Sequence, residues 1–231
     1  RALAGLNVPF PVDFYQELGS NYNGDAFQKV IFSDSHDTAA NGQVRLNEAV
    51  TPGNAESQLA RQRTLLASAM TLTAPGIPML MQGQEFMQEG DFSDWKELEW
   101  AKTEQFAGIV EAHKHLTALR RNTYGNTAGL QGQGINVFHR DDTNTVLAYH
   151  RWHNGGPRDD TLVIANFGTG NFDNYELIVP VSGTWQVRFN STWGGYGTDM
   201  KEIELKTIIT DDSGRITIPM AASSVVVLSQ D

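Results

Sequence analysis

The 231-residue sequence contains no cysteine. That excludes a disulfide framework and any thiolate-based zinc site, without fixing the compartment. Basic residues are scarce: 17 Lys and Arg stand against 27 Asp and Glu, a formal charge of −10. This balance argues against a nucleic-acid or anionic-membrane partner and favours a neutral or cationic ligand. No run approaches about 18 uninterrupted apolar residues, so no transmembrane helix is expected. No signal peptide opens the chain. The first residue is Arg1 rather than Met, so the sequence is expected to be a fragment whose targeting signal, if any, lies upstream; the cytoplasm is the favoured compartment. What is present is ordinary for a globular protein: 40% apolar and 19% charged residues, long enough for one large domain or two smaller ones.

Residues 1–27 read as irregular, punctuated by Pro9, Pro11, Gly19 and Gly24. Lys29–Ser33 contains a continuous apolar run, the pattern of a strand buried on both faces in a parallel sheet. A polar stretch follows to about Gly53, and connections of that length are often functional. Asn54 is the expected N-cap of a helix running to Thr73, with Leu59, Leu65, Leu66, Ala69 and Met70 on one face and Arg61 and Arg63 elsewhere. Ile77–Met81 reads as a second buried strand. A loop rich in Asp, Glu and Trp then leads to a helix from Thr103 to about Asn122. Strand, loop, helix, strand, loop, helix is a βαβα order and implies a parallel sheet.

After Gly125 the character changes. Short β-branched or alternating runs cover 135–140, 145–152, 161–167, 175–181, 184–189, 203–209, 215–220 and 224–229, separated by turn signals such as Asp212-Ser213-Gly214. They predict an antiparallel sandwich or barrel. The expected division is therefore residues 1–124, α/β, and residues 125–231, all-β. Two parallel βα units cannot close a sheet, so other chain segments are expected to complete the first part.

Both α/β strands end in acids: Asp34 and Asp37 after the first, Glu85 after the second. Active sites of parallel α/β folds lie at the carboxyl ends of strands, and converging carboxylates suit acid, base or charge-stabilising work. The bland alternative is that they cap loops. The spacing of Asp34, His36 and Asp37 matches no metal site with a stated mechanism, and no cofactor is called for. Ser35, His36 and Asp37 are consecutive and cannot form a nucleophilic triad. His113 and His115 should point to different helix faces, and His139, His150 and His153 should be partly exposed sheet residues. Trp185 reads as core, whereas Trp193 and Tyr196 are either packing or an aromatic platform for sugar rings.

The segment SDSHDTAANGQVRLNEAVTPGNAESQLARQRTLLASAMTLTAPGIPMLMQGQEFMQEGDFSDWKELEW resembles the end of the catalytic barrel of the α-amylase family of glycoside hydrolases and transglycosylases, in particular its branching-enzyme-like members. The resemblance covers residues 28–122 closely and 123–231 loosely. It implies the last two βα units of a (β/α)8 TIM barrel followed by a β-sandwich. By the same resemblance Asp37 is the family's third essential carboxylate, which binds sugar hydroxyls and stabilises the oxocarbenium-like transition state. His36 is the histidine bonded to the same sugar. Gln84 and Glu85 match the strand-eight motif, with structural hydrogen bonds or a place behind the sugar-contacting groups expected of them. Asn41 and Arg45 lie in the loop over the cleft, either contacting glucan or solvated; all five join Asp37 as the substrate-binding set.

Two departures stand out. Thr38 occupies a position where related proteins often carry Glu, and the family's nucleophile Asp and general-acid Glu, carried on earlier strands, are absent. Asp34 cannot replace them, because it leaves the same strand end as Asp37, whereas a retaining mechanism needs carboxyls facing each other across the bond. The implied parent acts on an α-glucan (starch, glycogen or maltooligosaccharide), and the implied partner is the missing N-terminal barrel portion. The chain alone should be inert, with self-association through open sheet edges. The alternative from another class is a non-catalytic carbohydrate-binding or structural module.

Overall fold

The computed structural model describes residues 12–197, 199–200 and 202–231. Residues 1–11 of the stretch expected to be irregular lie outside the described residues; the rest of that stretch is partly ordered instead. Helix α1 spans Val12–Gly19 and a 3-10 turn spans Ala26–Gln28, whose N-cap Asp25 accepts from the Phe27 amide.

Strand β1 (Val30–Ile31) and strand β2 (Ile77–Pro78) pair in parallel, with Ile77 N–H donating to Lys29 C=O and Met79 N–H to Ile31 C=O. The strands are shorter than expected and, in this chain, are not buried on both faces. Val30, Phe32 and Ile77 are all roughly half exposed, because among the described residues this parallel sheet has two strands and no further one to hide them. Between the strands lie α2 (His36–Ala39), α3 (Leu46–Val50) and α4 (Gln58–Thr73). The cap of α4 is Ser57, not Asn54: the Ser57 hydroxyl accepts from the Ala60 amide, satisfying one of the orphan donors of the first turn. The helix expected from Thr103 is two helices, α5 (Lys102–Gln105) and α6 (Ala107–Arg120), which break at Phe106 (φ −111°, ψ 36°).

The second half is antiparallel. Strands β3 (Gly134–Asp141), β4 (Val146–Trp152), β5 (Thr161–Asn166), β6 (Phe172–Ile178), β7 (Thr184–Asn190), β8 (Ile208–Ile209), β9 (Arg215–Met220) and β10 (Ser224–Ser229) match the eight runs read from the sequence. The run 203–209 keeps only its last two residues as strand. A six-stranded sheet, in the order β3-β4-β5-β10-β7-β8, packs against the pair β6-β9.

Period-2 alternation explains why the central strands are buried throughout. On β4, β5 and β10 one set of side chains (Val146, Ala148, Leu162, Ile164, Val226, Leu228) meets β6 and β9 around Trp185. The other set (Leu147, Tyr149, Val163, Ala165, Val225, Val227) meets Leu65, Leu66, Ala69 and Met70 of α4 and Ile109 and Leu116 of α6. The large sheet thus lies between a helical layer and a small sheet. Trp185 is core, as read from its strand. His150 is not partly exposed: it is buried and its Nε2 lies 2.8 Å from Asp160.

Arginines stitch the helical layer together and to the sheet. Arg63, on α4, is fully buried and donates to the Phe167 carbonyl. Arg120 donates to the Ala74 and Gly76 carbonyls, and Arg151 on β4 to those of Thr73, Gly132 and Gly134. Two cations therefore gather at the C-terminal end of α4, where unpaired carbonyls and the helix dipole favour positive charge. No helix among the described residues is long and apolar enough to cross a membrane.

Candidate functional site

The residues following β1 and β2 make one site because the two loops are tied together. After β1, Ser35 caps α2 reciprocally: its hydroxyl accepts from the Thr38 amide and its own amide donates to the Thr38 hydroxyl. Thr38 thus fills the fourth place of a capping box. Asp34 is buried and clamps the next element, its carboxylate accepting from the Leu46 amide at the start of α3 (2.8 Å) and from the Thr38 hydroxyl (3.4 Å). Burial pushes the Asp34 carboxyl above its ordinary 3.8, against the pull of the Leu46 amide, Arg45 and Thr38.

With both ends of α2 fixed, His36 and Asp37 project into solvent. Their side chains are 67% and 83% exposed, and His36 Nε2 lies 3.2 Å from the Asp37 carboxylate. Phe92, from the loop after β2, sits edge-on to the His36 ring at 6.0 Å. His36 lines an open groove of about 450 Å³ with Met79, Leu80, Gln82, Phe92 and Lys96. A histidine paired with an exposed carboxylate beside an apolar wall is suited to a polyhydroxylated ligand with an apolar ring face.

The other expected site residues fall elsewhere. Asn41 is exposed and left-handed (φ 55°), and with Gly42 (φ 83°) forms the turn leading to α3. Arg45 is neither solvated nor on the groove surface. It is buried, with its guanidinium donating to the Gln82 carbonyl at 2.7 Å and its amide to the Gly90 carbonyl at 2.9 Å. Burial pulls its guanidinium below the ordinary 12.5, opposed by Asp34, Glu85 and Asp91. It braces one loop against the other. Gln84 is also buried, its amide donating to the hydroxyls of Ser33 and Ser68. Ser68 in turn meets Nε2 of buried His113, whose Nδ1 lies 2.8 Å from the Ile109 carbonyl. Burial lowers the His113 pKa from its ordinary 6.5, so the ring is neutral and donates to Ile109. Glu85 is half-buried in a neighbouring groove of about 430 Å³, beside Leu80, Met81 and His113.

Several contributors had no clear signal in the sequence. Asn47 donates to the Met87 and Gln88 carbonyls, and the Phe92 amide donates to the Ala39 carbonyl, both crossing between the loops. Lys102 is buried with its ammonium 2.5 Å from Glu56 and near Glu89 and Glu99. Burial alone would lower its pKa, but the bond to Glu56 and the other carboxylates raise it. A lysine in an acidic stretch reads as solvated; only the fold shows it enclosed. Among the described residues, no group of three or more His, Asp or Glu side chains is placed to hold a metal ion.

Residues 137–231 match the family described as alpha amylase, C-terminal all-beta domain. A 1,4-alpha-glucan branching enzyme of Corynebacterium diphtheriae is 30% identical over 178 residues, covering 73% of this chain and 23% of the relative. One from a Synechococcus species is 31% identical over 178 residues, covering 71% and 21%. The all-β half thus matches the alpha-amylase C-terminal domain family, and some seven tenths of the chain is similar to 1,4-alpha-glucan branching enzymes. It spans under a quarter of the length of these two curated relatives. Among solved structures, a pullulanase from Bacillus acidopullulyticus superposes with a TM-score of 0.68 at 18% identity, covering 99% of this chain and 28% of that one. An α-amylase from Geobacillus thermoleovorans, solved with acarbose, gives 0.66 at 16% identity, covering 98% and 44%. At such identities these two neighbours support the fold alone.

Proposed function

We propose that this chain is the substrate-gripping portion of an α-glucan-active enzyme that cleaves α-1,4-glucosidic bonds with retention and passes the glycosyl unit to water or to another glucan. The observation that carries this reading is the exposed His36–Asp37 pair at the carboxyl ends of two parallel strands, held from behind by buried Asp34 and Arg45. Asp37 would accept hydrogen bonds from ring hydroxyls and set its negative charge against the oxocarbenium-like transition state, while His36 bonds the same sugar. Bonds of this kind tighten as the ring flattens and contribute several kcal/mol in glycoside cleavage. The nucleophile and general acid would come from the remaining barrel strands of the same protein. The exposed Val30, Phe32 and Ile77, and the open groove lined by Leu18, Tyr22 and Val30, support a seat for those strands. So does the far greater length of the relatives.

Expressed from its complete coding sequence, the protein is expected to turn over α-1,4-glucan, and Asp37→Asn should lower kcat/KM by roughly 10²–10³-fold. The 231-residue chain alone should show no turnover. Wild-type rates in the Asp37→Asn variant refute the assignment of Asp37. Turnover by the isolated chain refutes the placement of the nucleophile outside it.

A further inference from the structure

A second cluster lies on the seam between α6 and the β-sheet domain and shares no lining residue with the His36 groove. Helix α6 presents Glu111, Lys114 and His115 one turn apart, and the turn after β7 brings Trp193 and Tyr196 over them. Tyr196 is buried, stacked on Phe189 at 5.4 Å, and its hydroxyl lies 2.6 Å from His115 Nδ1. The other ring nitrogen of His115 is 3.1 Å from the Glu111 carboxylate. Burial, with Glu111 and Tyr124 nearby, pushes the Tyr196 phenol above its ordinary 10.0, so it stays neutral.

The Trp193 indole is held on three sides. It stacks on His115 (centroids 6.2 Å apart, 29° between planes) and stands edge-on to Tyr196 (5.0 Å, 86°). It also lies against Gly195, where a Cβ would fall 2.4 Å from the ring. The absence of that side chain lets the indole lie on the backbone. Even so, Trp193 remains 44% exposed, with the Glu202 carboxylate anchored beside it by the Gly194 amide at 2.9 Å. The loop below is fixed by the buried Met200 and by the Arg61–Asp199 ion pair. An indole immobilised before binding avoids the ordering cost that weakens surface contacts. Its free surface suits the apolar C–H face of a pyranose, and the flanking Glu111 and Glu202 carboxylates suit the hydroxyls around that ring.

We infer that Trp193, backed by His115 and flanked by the Glu111 and Glu202 carboxylates, forms a second α-glucan-binding site, which would hold a remote part of a long chain while another part occupies the His36 groove. The choice of glucan rests on the function proposed above. The test is calorimetric titration of the 231-residue chain with maltoheptaose, with intrinsic tryptophan fluorescence followed in parallel and thermal melts confirming that each variant folds. Trp193→Ala should weaken binding by about tenfold or more. Gly195→Ala, whose methyl group would displace the ring, should weaken it without removing the indole. Binding should persist in His36→Ala. Loss of binding in His36→Ala with retention in Trp193→Ala overturns the second site and leaves the proposed function standing. Absence of any maltoheptaose binding by the wild-type chain also overturns it, while the turnover measurement on the complete protein judges the proposed function separately. Displacement of maltoheptaose from the Trp193 site by tetramethylammonium would reassign the site to cations and overturn the glucan assignment.

Discussion

Arg151→Met is expected to be among the most destabilising single substitutions in the chain. The Arg151 side chain is fully buried on the helix-facing side of β4. Its guanidinium donates to the carbonyls of Thr73, Gly132 and Gly134, and reaches that of Leu130 at 3.5 Å. Burial opposes the charge, pulling its pKa from 12.5 to about 9, equivalent to roughly 5 kcal/mol. Hydrogen bonds to a charged group contribute about 1.5–3 kcal/mol each, so the three together match or exceed that cost. Methionine fills the volume but leaves the carbonyls unpaired in a dry site, and the expected loss is about 3–5 kcal/mol. In urea unfolding, with a slope of roughly 2–3 kcal/mol/M for a chain of this size, the midpoint should fall by about 1–2 M. Arg151→Lys should recover little of it, because an ammonium cannot reproduce the planar fork. A midpoint shift under about 0.5 M for Arg151→Met would refute the role given to these bonds.

Asp34→Asn should stabilise the chain at pH 7: a raised folded-state carboxyl pKa contributes stability present below 3.8 and lost as pH rises through the folded value. The advantage over wild type should vanish on acidification below 3.8, and a pH-independent difference in melting temperature would contradict it. His113 works in the opposite sense, since its lowered pKa contributes stability present above 6.5 and lost as pH falls toward the folded value. His113→Gln should therefore flatten the decline of melting temperature between pH 7 and 5, and an unchanged slope would count against it. Gly83→Ala should cost about 1–3 kcal/mol, because Gly83 is left-handed (φ 87°) and a Cβ would fall 2.5 Å from that of Gln88; a melting temperature equal to wild type would refute this. Light scattering should show concentration-dependent self-association that falls in Phe32→Asp, whose parent side chain is 44% exposed beside the open β1 edge. A strictly monomeric wild type would sink that expectation.

The sequence made the elements legible where local pattern and final environment agree. The eight β runs were readable because alternation and turn residues are local properties, and Trp185 could be assigned to the core from its place in one of them. Arg63 was not readable. An arginine off the apolar face of a helix reads as solvated, and only the arrival of the sheet carboxyl-terminal to β5 turns that face inward and supplies the Phe167 carbonyl. His150 failed for the same reason, its partner Asp160 lying on the far side of a turn. In the site, His36 and Asp37 were visible as an unusual cluster. The burial of Arg45 depends on the loop after β2, 37 residues away at Gln82.

The site's exposed and buried parts divide its work. His36 and Asp37 are exposed and contact each other and Phe92, so little of their rigidity comes from their own contacts. Rigidity has to come from behind, and the molecule supplies it in two steps. Asp34 holds the loop after β1 to the start of α3, and Arg45 and Asn47 fix that loop against the one after β2. Gln84, Ser68 and His113 then fix those loops to α4 and α6. Those helices are themselves seated by the β-sheet through Leu65, Leu66 and Ile109, and by Arg63 and Arg151, at a core that runs without interruption from one half of the chain to the other. Preorganisation at the site is thus drawn partly from the all-β half, although that half contributes no residue to the His36 groove. The β-domain acts on the site as its foundation, through two helices and a set of buried cations, rather than as an appendage beside it.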